Sequence, residues 1–377
     1  MEEIKNWDDL NIPIDLLRGI YAHGFEKPSN IQSLACMPLI MGRDLLAQAQ
    51  SGTGKTGAFV VGALARIDPQ QLTTQVIILS PTRELAMQTA EVVVNLSIMM
   101  KLTTKTLIGG SYVDTYELKN SPPHIVVGTP GRINEMLCKK ALSSNIKLVI
   151  LDEADELFSF GFKEQILEIL SKFKADTQIA LFSATIPQNI LPSVLALLKD
   201  PIQITVIPEK LVLDGISQYF VAVSDDNQKF LTLKDLFSSC TLYQTIIYCN
   251  SVERVVELYH AMKTDGYPVC CIHSNMEKNE RTDTYNEFKS GKFRVLISSN
   301  VTARGIDIQQ VSIVINFDLP KDPHTYLHRI GRSGRWGRKG IGINFITKYD
   351  VDNIKSIESH YNIEIEELPL HFDNVLK

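Results

Sequence analysis

Eight residues, Ala49-Gln50-Ser51-Gly52-Thr53-Gly54-Lys55-Thr56, follow the short apolar run Leu45-Leu46-Ala47 and constrain this chain more than any other stretch. An apolar run that breaks into glycines and closes on Gly-Lys-Thr predicts a buried strand, a tight loop and the first turn of a helix. Glycines let the backbone wrap an anion without interference from Cβ, so successive N–H groups can point inward at phosphate oxygens. The Lys55 ammonium can reach β- and γ-phosphates, and the Thr56 hydroxyl can ligate Mg²⁺. Ala49 stands where the general phosphate-loop pattern has its first glycine, so the match is imperfect. A glycine-rich stretch is often only a turn, but a Gly-Lys-Thr ending directly after an apolar strand favours a nucleoside triphosphate site.

A second feature sharpens that expectation. Lys147-Leu148-Val149-Ile150-Leu151 has strand length, and Asp152-Glu153-Ala154-Asp155 follows at once. Carboxylates emerging at the end of a buried strand are where a parallel-sheet nucleotide hydrolase needs them: one to hold hydrated Mg²⁺, its neighbour to orient the attacking water. Alone the acidic run would read equally well as a solvated turn; a phosphate loop about a hundred residues upstream decides between the two.

Strand-like runs recur at 75–79, 124–127, 148–151 and 179–182, separated by helical stretches such as Arg83 to Leu96 and Lys163 to Phe173. Runs apolar on both faces that alternate with helices indicate a parallel sheet covered by helices. The second half repeats the scheme at 245–248, 268–272, 294–297 and 312–315, with a helix over Val252 to Met262 and Ser251 as its N-cap. Its counterpart turn, Cys249-Asn250-Ser251-Val252, has no Gly-Lys-Thr. One phosphate loop for two similar domains suggests a nucleotide site in the cleft between them, with arginines supplied by the second. Between the halves, 199–214 holds two prolines and few periodic signals, so the joint is placed near Pro208–Leu213.

The chain has 377 residues, 44% hydrophobic and 21% charged, an ordinary soluble composition with room for two or three domains. No apolar run reaches the ~18–20 residues needed to cross a bilayer, and Met1 to Trp7 lacks a secretory pattern. The six cysteines have no Cys-x-x-Cys pair or histidine at metal spacing, which points away from zinc and toward a reducing compartment. The expectation is a cytoplasmic protein, with the nucleus as the alternative. A net charge of −5 does not exclude nucleic acid, because binding depends on the local patch that meets phosphates. Arg329, Arg332, Arg335, Arg338 and Lys339, interleaved with glycines, form such a patch in the sequence.

These residues resemble the DEAD-box RNA helicases from about Trp7 to Leu370. Trp7 with Gly24-Phe25-Glu26-Lys27-Pro28-Ser29-Asn30-Ile31-Gln32 is similar to the family's Q motif. Pro81-Thr82-Arg83-Glu84-Leu85-Ala86, Gly109-Gly110 and Thr129-Pro130-Gly131-Arg132 match its first-domain RNA motifs, and Ser183-Ala184-Thr185 its coupling motif. Ala303-Arg304-Gly305-Ile306-Asp307 and His328-Arg329-Ile330-Gly331-Arg332-Ser333-Gly334-Arg335 match the second domain's pair. Asp214 to Val221, Gly337 to Gly340 and Ile365 to Leu370 are similar to the minimal helicases of translation initiation and the exon-junction complex.

The resemblance implies an α/β fold of two RecA-like domains, each a mainly parallel sheet flanked by helices: a Q-motif region 1–33, domain one over 34–208, a linker 209–213 and domain two over 214–377. It implies ATP and Mg²⁺ as cofactors, with ATP held by Trp7, Phe25, Gln32, Ala49, Gln50, Ser51, Gly52, Thr53, Gly54, Lys55, Thr56 and Asp307. Thr56 and Asp152 would hold Mg²⁺, partly through water. Glu153 would serve as base or water-orienter assisted by His328, while Lys55, Arg332 and Arg335 stabilise the transferring phosphoryl. Arg83, Gly110, Thr129, Arg132 and Arg281 would grip the RNA backbone without reading sequence. Ser183 and Thr185 would couple hydrolysis to closure. Expected partners are RNA and a protein scaffold or regulator, with no membrane, around a monomeric core.

Three positions depart from the family pattern. Lys278 replaces a glutamine, Asn300 replaces the acid of a Thr-Asp pair, and Phe160 stands at a usually basic position. Asn300 is expected to lessen repulsion from RNA. Three functions share these residues: a helicase opening short duplexes, an ATP-gated RNA clamp and, less favoured, a DNA translocase.

Overall fold

The apolar runs of the first half become strands buried on both faces. In the computed structural model the described residues are 3–49, 52–158, 162–206, 216–239, 244–300, 311–333 and 340–369. The chain divides into two units, Met1–Ile207 and Pro208–Lys377. The expected linker, 209–213, lies outside the described residues.

The first unit carries strands β1 (Leu45–Gln48), β2 (Val76–Leu79), β3 (Thr104–Leu107), β4 (Ile125–Gly128), β5 (Leu148–Asp152), β6 (Gln178–Ser183) and β7 (Ile202–Thr205). They lie in the order β3-β4-β2-β5-β6-β1-β7, and every neighbouring pair is parallel. Its helices are α1 (Ile14–Ala22), α2 (Asn30–Ile40), α3 (Lys55–Ala65), α4 (Arg83–Leu96), α5 (Thr115–Asn120), α6 (Pro130–Cys138), α7 (Ala154–Leu157), α8 (Lys163–Ser171) and α9 (Leu191–Leu195). Alternate residues of one strand feed separate cores: Val76 and Ile78 join Phe59, Val60 and Ala90, whereas Ile77 and Leu79 join Ile133, Leu157 and Ile166. That division is why the strand reads as continuously apolar instead of alternating. The segment 199–214, read as a joint, contributes β7, an edge strand paired to β1 through Ile202-Gln203-Ile204-Thr205. Four alternating residues are too few to stand out in a sequence.

The second unit repeats the plan with β8 (Ile216–Ala222), β9 (Gln244–Tyr248), β10 (Val269–Ile272), β11 (Val295–Ser298), β12 (Val311–Asn316), β13 (Gly340–Ile346) and β14 (Glu366–Glu367). The order is β10-β11-β9-β12-β13-β8-β14, again parallel throughout. Helices α10 (Asp226–Ser239), α11 (Val252–Thr264), α12 (Lys278–Lys289), α13 (Pro323–Ile330) and α14 (Val351–Tyr361) complete it. The Ser251 hydroxyl accepts from the Arg254 N–H at 3.3 Å and caps α11 as expected. No helix among the described residues is long and apolar enough to cross a membrane.

Candidate active site and RNA-facing loops

In the first sheet β1 and β5 flank β6, so the loop after β1 and the acidic turn after β5 emerge one strand apart at the same, carboxyl-terminal edge. Ligands of open parallel sheets sit at that edge, where consecutive connections diverge. The pairing carries past β1, because the Ala49 N–H donates to the Ser183 carbonyl at 3.1 Å. The loop then turns through Gly52 (φ +83°) and Gly54 (φ +99°), left-handed conformations that glycine adopts without strain. Lys55 opens α3, is buried, and its Nζ donates to the Ala49 carbonyl at 2.6 Å. The ammonium is thereby held over the loop, with Thr56 beside it on the first turn. Gln50 and Ser51 lie outside the described residues.

Gln32 joins this loop to the segment before it. Its Oε1 accepts from the Ser29 N–H at 2.8 Å at the start of α2, and its Nε2 donates to the Gly54 carbonyl at 3.1 Å. One amide N–H and one lone pair remain for a ligand. Phe25 packs against the same α3 turn: a methyl placed on Gly57 would lie 2.5 Å from Gln32 Nε2 and 2.8 Å from Phe25 Cε2. Trp7, expected among the nucleotide contacts, has no exposed surface. It stacks behind Phe25 at 6.2 Å between centroids and 19° between planes, and so braces that aromatic.

At the end of β5, Asp152 and Glu153 are both buried. Burial drives the Asp152 carboxyl well above the usual carboxylate range, and the Glu153 charge adds to the effect; Lys55 opposes it. Glu153 takes a left-handed backbone (φ +48°, ψ +57°) as it begins α7, a costly conformation for a residue with a Cβ. Its Oε2 is buried with no hydrogen-bond partner. Such geometry disfavours folding and marks the residue as held for another purpose.

Asp155, given no role in the motif, links the acidic turn to the coupling motif. One of its oxygens accepts from Ser183 Oγ and the other from Thr185 Oγ1, both at 2.7 Å and buried. Ser183 Oγ, accepting in turn from the Thr185 N–H at 3.3 Å, closes the knot. The coupling motif is thus fastened to the acidic turn by a carboxylate three residues beyond Asp152. The signal was present in that spacing, but only the β5–β6 pairing shows which hydroxyls it meets.

The RNA motifs of the first unit meet at the ends of β2, β3 and β4. Arg83 begins α4, whose N-cap Thr82 accepts from the Leu85 N–H at 3.3 Å. A methyl on Gly109 would lie 3.1 Å from Arg83 Nη2, and Gly110 turns with φ +81°. Thr129 and Pro130 start α6, and the Thr129 N–H donates to the Leu107 carbonyl at 3.0 Å. Arg132 Nη2 donates to the Ser111 carbonyl at 2.9 Å while Nη1 pairs with Glu135, so this arginine shapes the loop as well as facing it.

In the second unit the basic patch of the sequence divides. Arg329 is fully buried, not part of a solvated or phosphate-facing surface. Its Nε and Nη2 donate to Asn300 Oδ1 at 2.9 and 2.7 Å, Nη1 to Asn316 Oδ1 and the Asp318 carbonyl, and Nη2 to Asn250 Oδ1. Burial lowers this guanidinium to about 10. Asn300 therefore serves Arg329, a contact that the expectation of eased repulsion from RNA did not include. His328 and Arg332 are buried on and just after α13, with Arg332 Nε donating to the His328 carbonyl at 3.2 Å. Arg281 lies in the first turn of α12. Asp307, Arg335 and Phe160 fall outside the described residues, and nothing is described of the Lys278 side chain.

Residues 29–192 match the model of the DEAD/DEAH box helicase family, and residues 228–337 that of the helicase conserved C-terminal domain. The chain belongs to the DEAD-box RNA helicases. It is 48% identical over 379 residues to eukaryotic initiation factor 4A of Cryptosporidium parvum, spanning all of this chain and 93% of that protein. It is 44% identical over 377 residues to ATP-dependent RNA helicase eIF4A of Chaetomium globosum, spanning 95% of that protein. Among solved structures, S. cerevisiae Dbp5 bound to RNA and ADP BeF3 superposes with a TM-score of 0.93 at 35% identity, over 99% of this chain and 98% of that one. As a DEAD-box helicase close to the eIF4A group, the protein is an RNA-stimulated ATPase that couples nucleotide state to RNA remodelling.

Proposed function

We propose that the carboxyl-terminal edge of the first sheet hydrolyses ATP through residues 49–56, Asp152 and Glu153. The observation that carries this reading is the buried Asp152–Glu153 pair one strand away from the Lys55 loop, with Glu153 Oε2 unpartnered. A buried carboxylate pair, with the Asp152 carboxyl raised by burial and by the Glu153 charge, fits a hard divalent cation, and Thr56 adds a hydroxyl oxygen. Bound Mg²⁺ supplies charge that neutralises the transferring phosphoryl oxygens. Asp152 and Thr56 would hold it, partly through water. Lys55 exchanges its carbonyl partner for phosphate oxygens, and Glu153 orients the attacking water and takes its proton. Gln32 offers its spare N–H and lone pair to the adenine edge, over which Phe25 packs.

Arg83, Gly110, Thr129 and Arg132 line the loops that take RNA phosphates, aided by the N-termini of α4 and α6. Arg281 adds a contact from the second unit. That unit also supplies His328 as partner to the water-activating group, Arg332 and Arg335 to the phosphoryl, and Asp307 to the ribose. Asp155 ties the carboxylate turn to Ser183 and Thr185, through which hydrolysis is coupled to RNA release. The initiation-factor relatives support a cytoplasmic role like translation initiation, with a protein scaffold as partner; the nucleus is the alternative compartment.

Glu153→Gln tests the assignment. It keeps size and polarity but removes the base, so turnover should fall on the order of 10²–10⁴-fold while ATP and RNA still bind. Lys55→Ala should weaken nucleotide binding itself. Equal turnover in wild type and Glu153→Gln would remove Glu153 from the mechanism.

A further inference from the structure

The loop that carries the RNA-facing glycines ends in a side chain the backbone-gripping scheme does not use. Tyr112 is 90% exposed, the most exposed large hydrophobic side chain of the described residues. It follows Ser111, whose carbonyl is fixed by Arg132 Nη2 and whose Oγ donates to the Ile108 carbonyl at 2.8 Å. Two residues before Tyr112, Gly110 makes its left-handed turn, and Gly109 lies against Arg83. The loop is therefore held on both sides while its aromatic ring is left in solvent.

A scattered exposed apolar residue needs no explanation by itself. Tyr112 differs in position, because the backbone that presents it is fastened by one of the arginines assigned to RNA phosphates and lies beside another. The ring buries almost nothing within the protein and so contributes little to folding. An aromatic beside a phosphate-gripping loop is the arrangement by which single-stranded nucleic acids are held through base stacking.

We propose that Tyr112 stacks on an unpaired base of the RNA strand whose phosphates pass Arg83 and Gly110. The inference rests on the RNA path assigned above. It adds a base-dependent contact to a grip otherwise confined to the backbone. Stacking tolerates every base but is stronger for purines, so the protein favours purine-containing single strands over pyrimidine ones without reading a sequence.

The test is binding of the full chain, with a non-hydrolysable ATP analogue, to labelled ten-nucleotide oligoadenylate and to the same strand made abasic at its internal positions. Wild type should prefer the base-bearing strand. Tyr112→Ala should weaken oligoadenylate binding about five-fold or more, leave the abasic strand unchanged and preserve the salt slope, since no phosphate contact is lost. Tyr112→Phe should behave as wild type. Arg83→Ala reads the underlying path: it should weaken both strands and reduce the log–log salt slope by about 0.7. Tyr112→Ala equal to wild type on oligoadenylate overturns the stack, as does equal weakening on both strands. A silent Arg83→Ala overturns the assigned path, whichever way Tyr112→Ala behaves.

Discussion

Replacing Gly57 with alanine should separate nucleotide selection from folding. Gly57 lies in the first turns of α3, and its missing methyl leaves room for the Gln32 amide and the Phe25 ring. A methyl there would stand 2.5 Å from Gln32 Nε2, 2.8 Å from Phe25 Cε2 and 3.2 Å from Phe25 Cζ, against ordinary contacts of 3.4–4 Å. The amide must retreat by about 1 Å, which breaks its 3.1 Å bond to the Gly54 carbonyl. Losing that bond costs about 0.5–1.5 kcal/mol, while alanine in place of glycine inside a helix returns close to 1 kcal/mol. Stability should therefore stay within about 1 kcal/mol of wild type.

Function should not be spared. A displacement of 1 Å in a positioning group can cost ~10²-fold. We expect kcat/KM for ATP to fall at least about ten-fold, mostly through KM, and the preference for ATP over GTP to shrink with it. Steady-state hydrolysis with both nucleotides at saturating RNA is the assay. Gly62→Ala is the matched control: its methyl would meet Leu39 Cβ and Cδ1 at 2.6 Å, so it should lower stability by about 1–3 kcal/mol and leave selectivity intact. Unchanged KM and unchanged ATP preference in Gly57→Ala would refute the assignment of Gln32 and Phe25 to the adenine.

Two further outcomes follow from buried charges. Asp152 has its carboxyl raised by burial and by Glu153, so the folded protein keeps a proton that the unfolded chain has lost. Stability of the metal-free protein should fall as pH rises from the ordinary aspartate range toward the raised value; Asp152→Asn should flatten that slope in thermal melts and abolish turnover. Nucleotide binding with Mg²⁺ should release protons near neutral pH, measurable as a buffer-dependent heat. Asn300→Asp should give buried Arg329 a carboxylate partner and raise stability by about 1 kcal/mol at neutral pH, allowing for the exposure of position 300. The gain should be present above the ordinary aspartate range and be lost as pH falls through the depressed value of the new carboxyl; an unchanged melting temperature between pH 4 and 8 would count against it.

The strands most legible in the sequence are β2, β4, β5, β6, β9, β10, β11 and β12, because each is largely buried and carries a run of apolar residues. The edge strands β3 (Thr104-Lys105-Thr106-Leu107) and β7 are partly exposed and carry polar residues, so they lack that run, whereas the edge strand β10 (Val269-Cys270-Cys271-Ile272) keeps it. The phosphate loop and the acidic turn were legible because their chemistry is local, carried by consecutive residues. What stayed hidden depends on contacts across the sheet. Asp155 meets Ser183 and Thr185 only because β5 pairs with β6. Arg329 looks like part of a basic surface until Asn250, Asn300 and Asn316, from separate connections, close around it. Trp7 carries no sign in its neighbours that it will be fully buried behind Phe25.

The most direct measurement is the steady-state ATPase rate of the full chain with no nucleic acid, with single-stranded RNA and with DNA of the same sequence, repeated for Glu153→Gln. Contacts to 2′-hydroxyls and backbone predict strong stimulation by RNA and little by DNA, with Glu153→Gln inactive throughout. ATP hydrolysis equal under all three conditions, or stimulated as well by DNA as by RNA, would contradict an RNA-coupled hydrolase built on these residues.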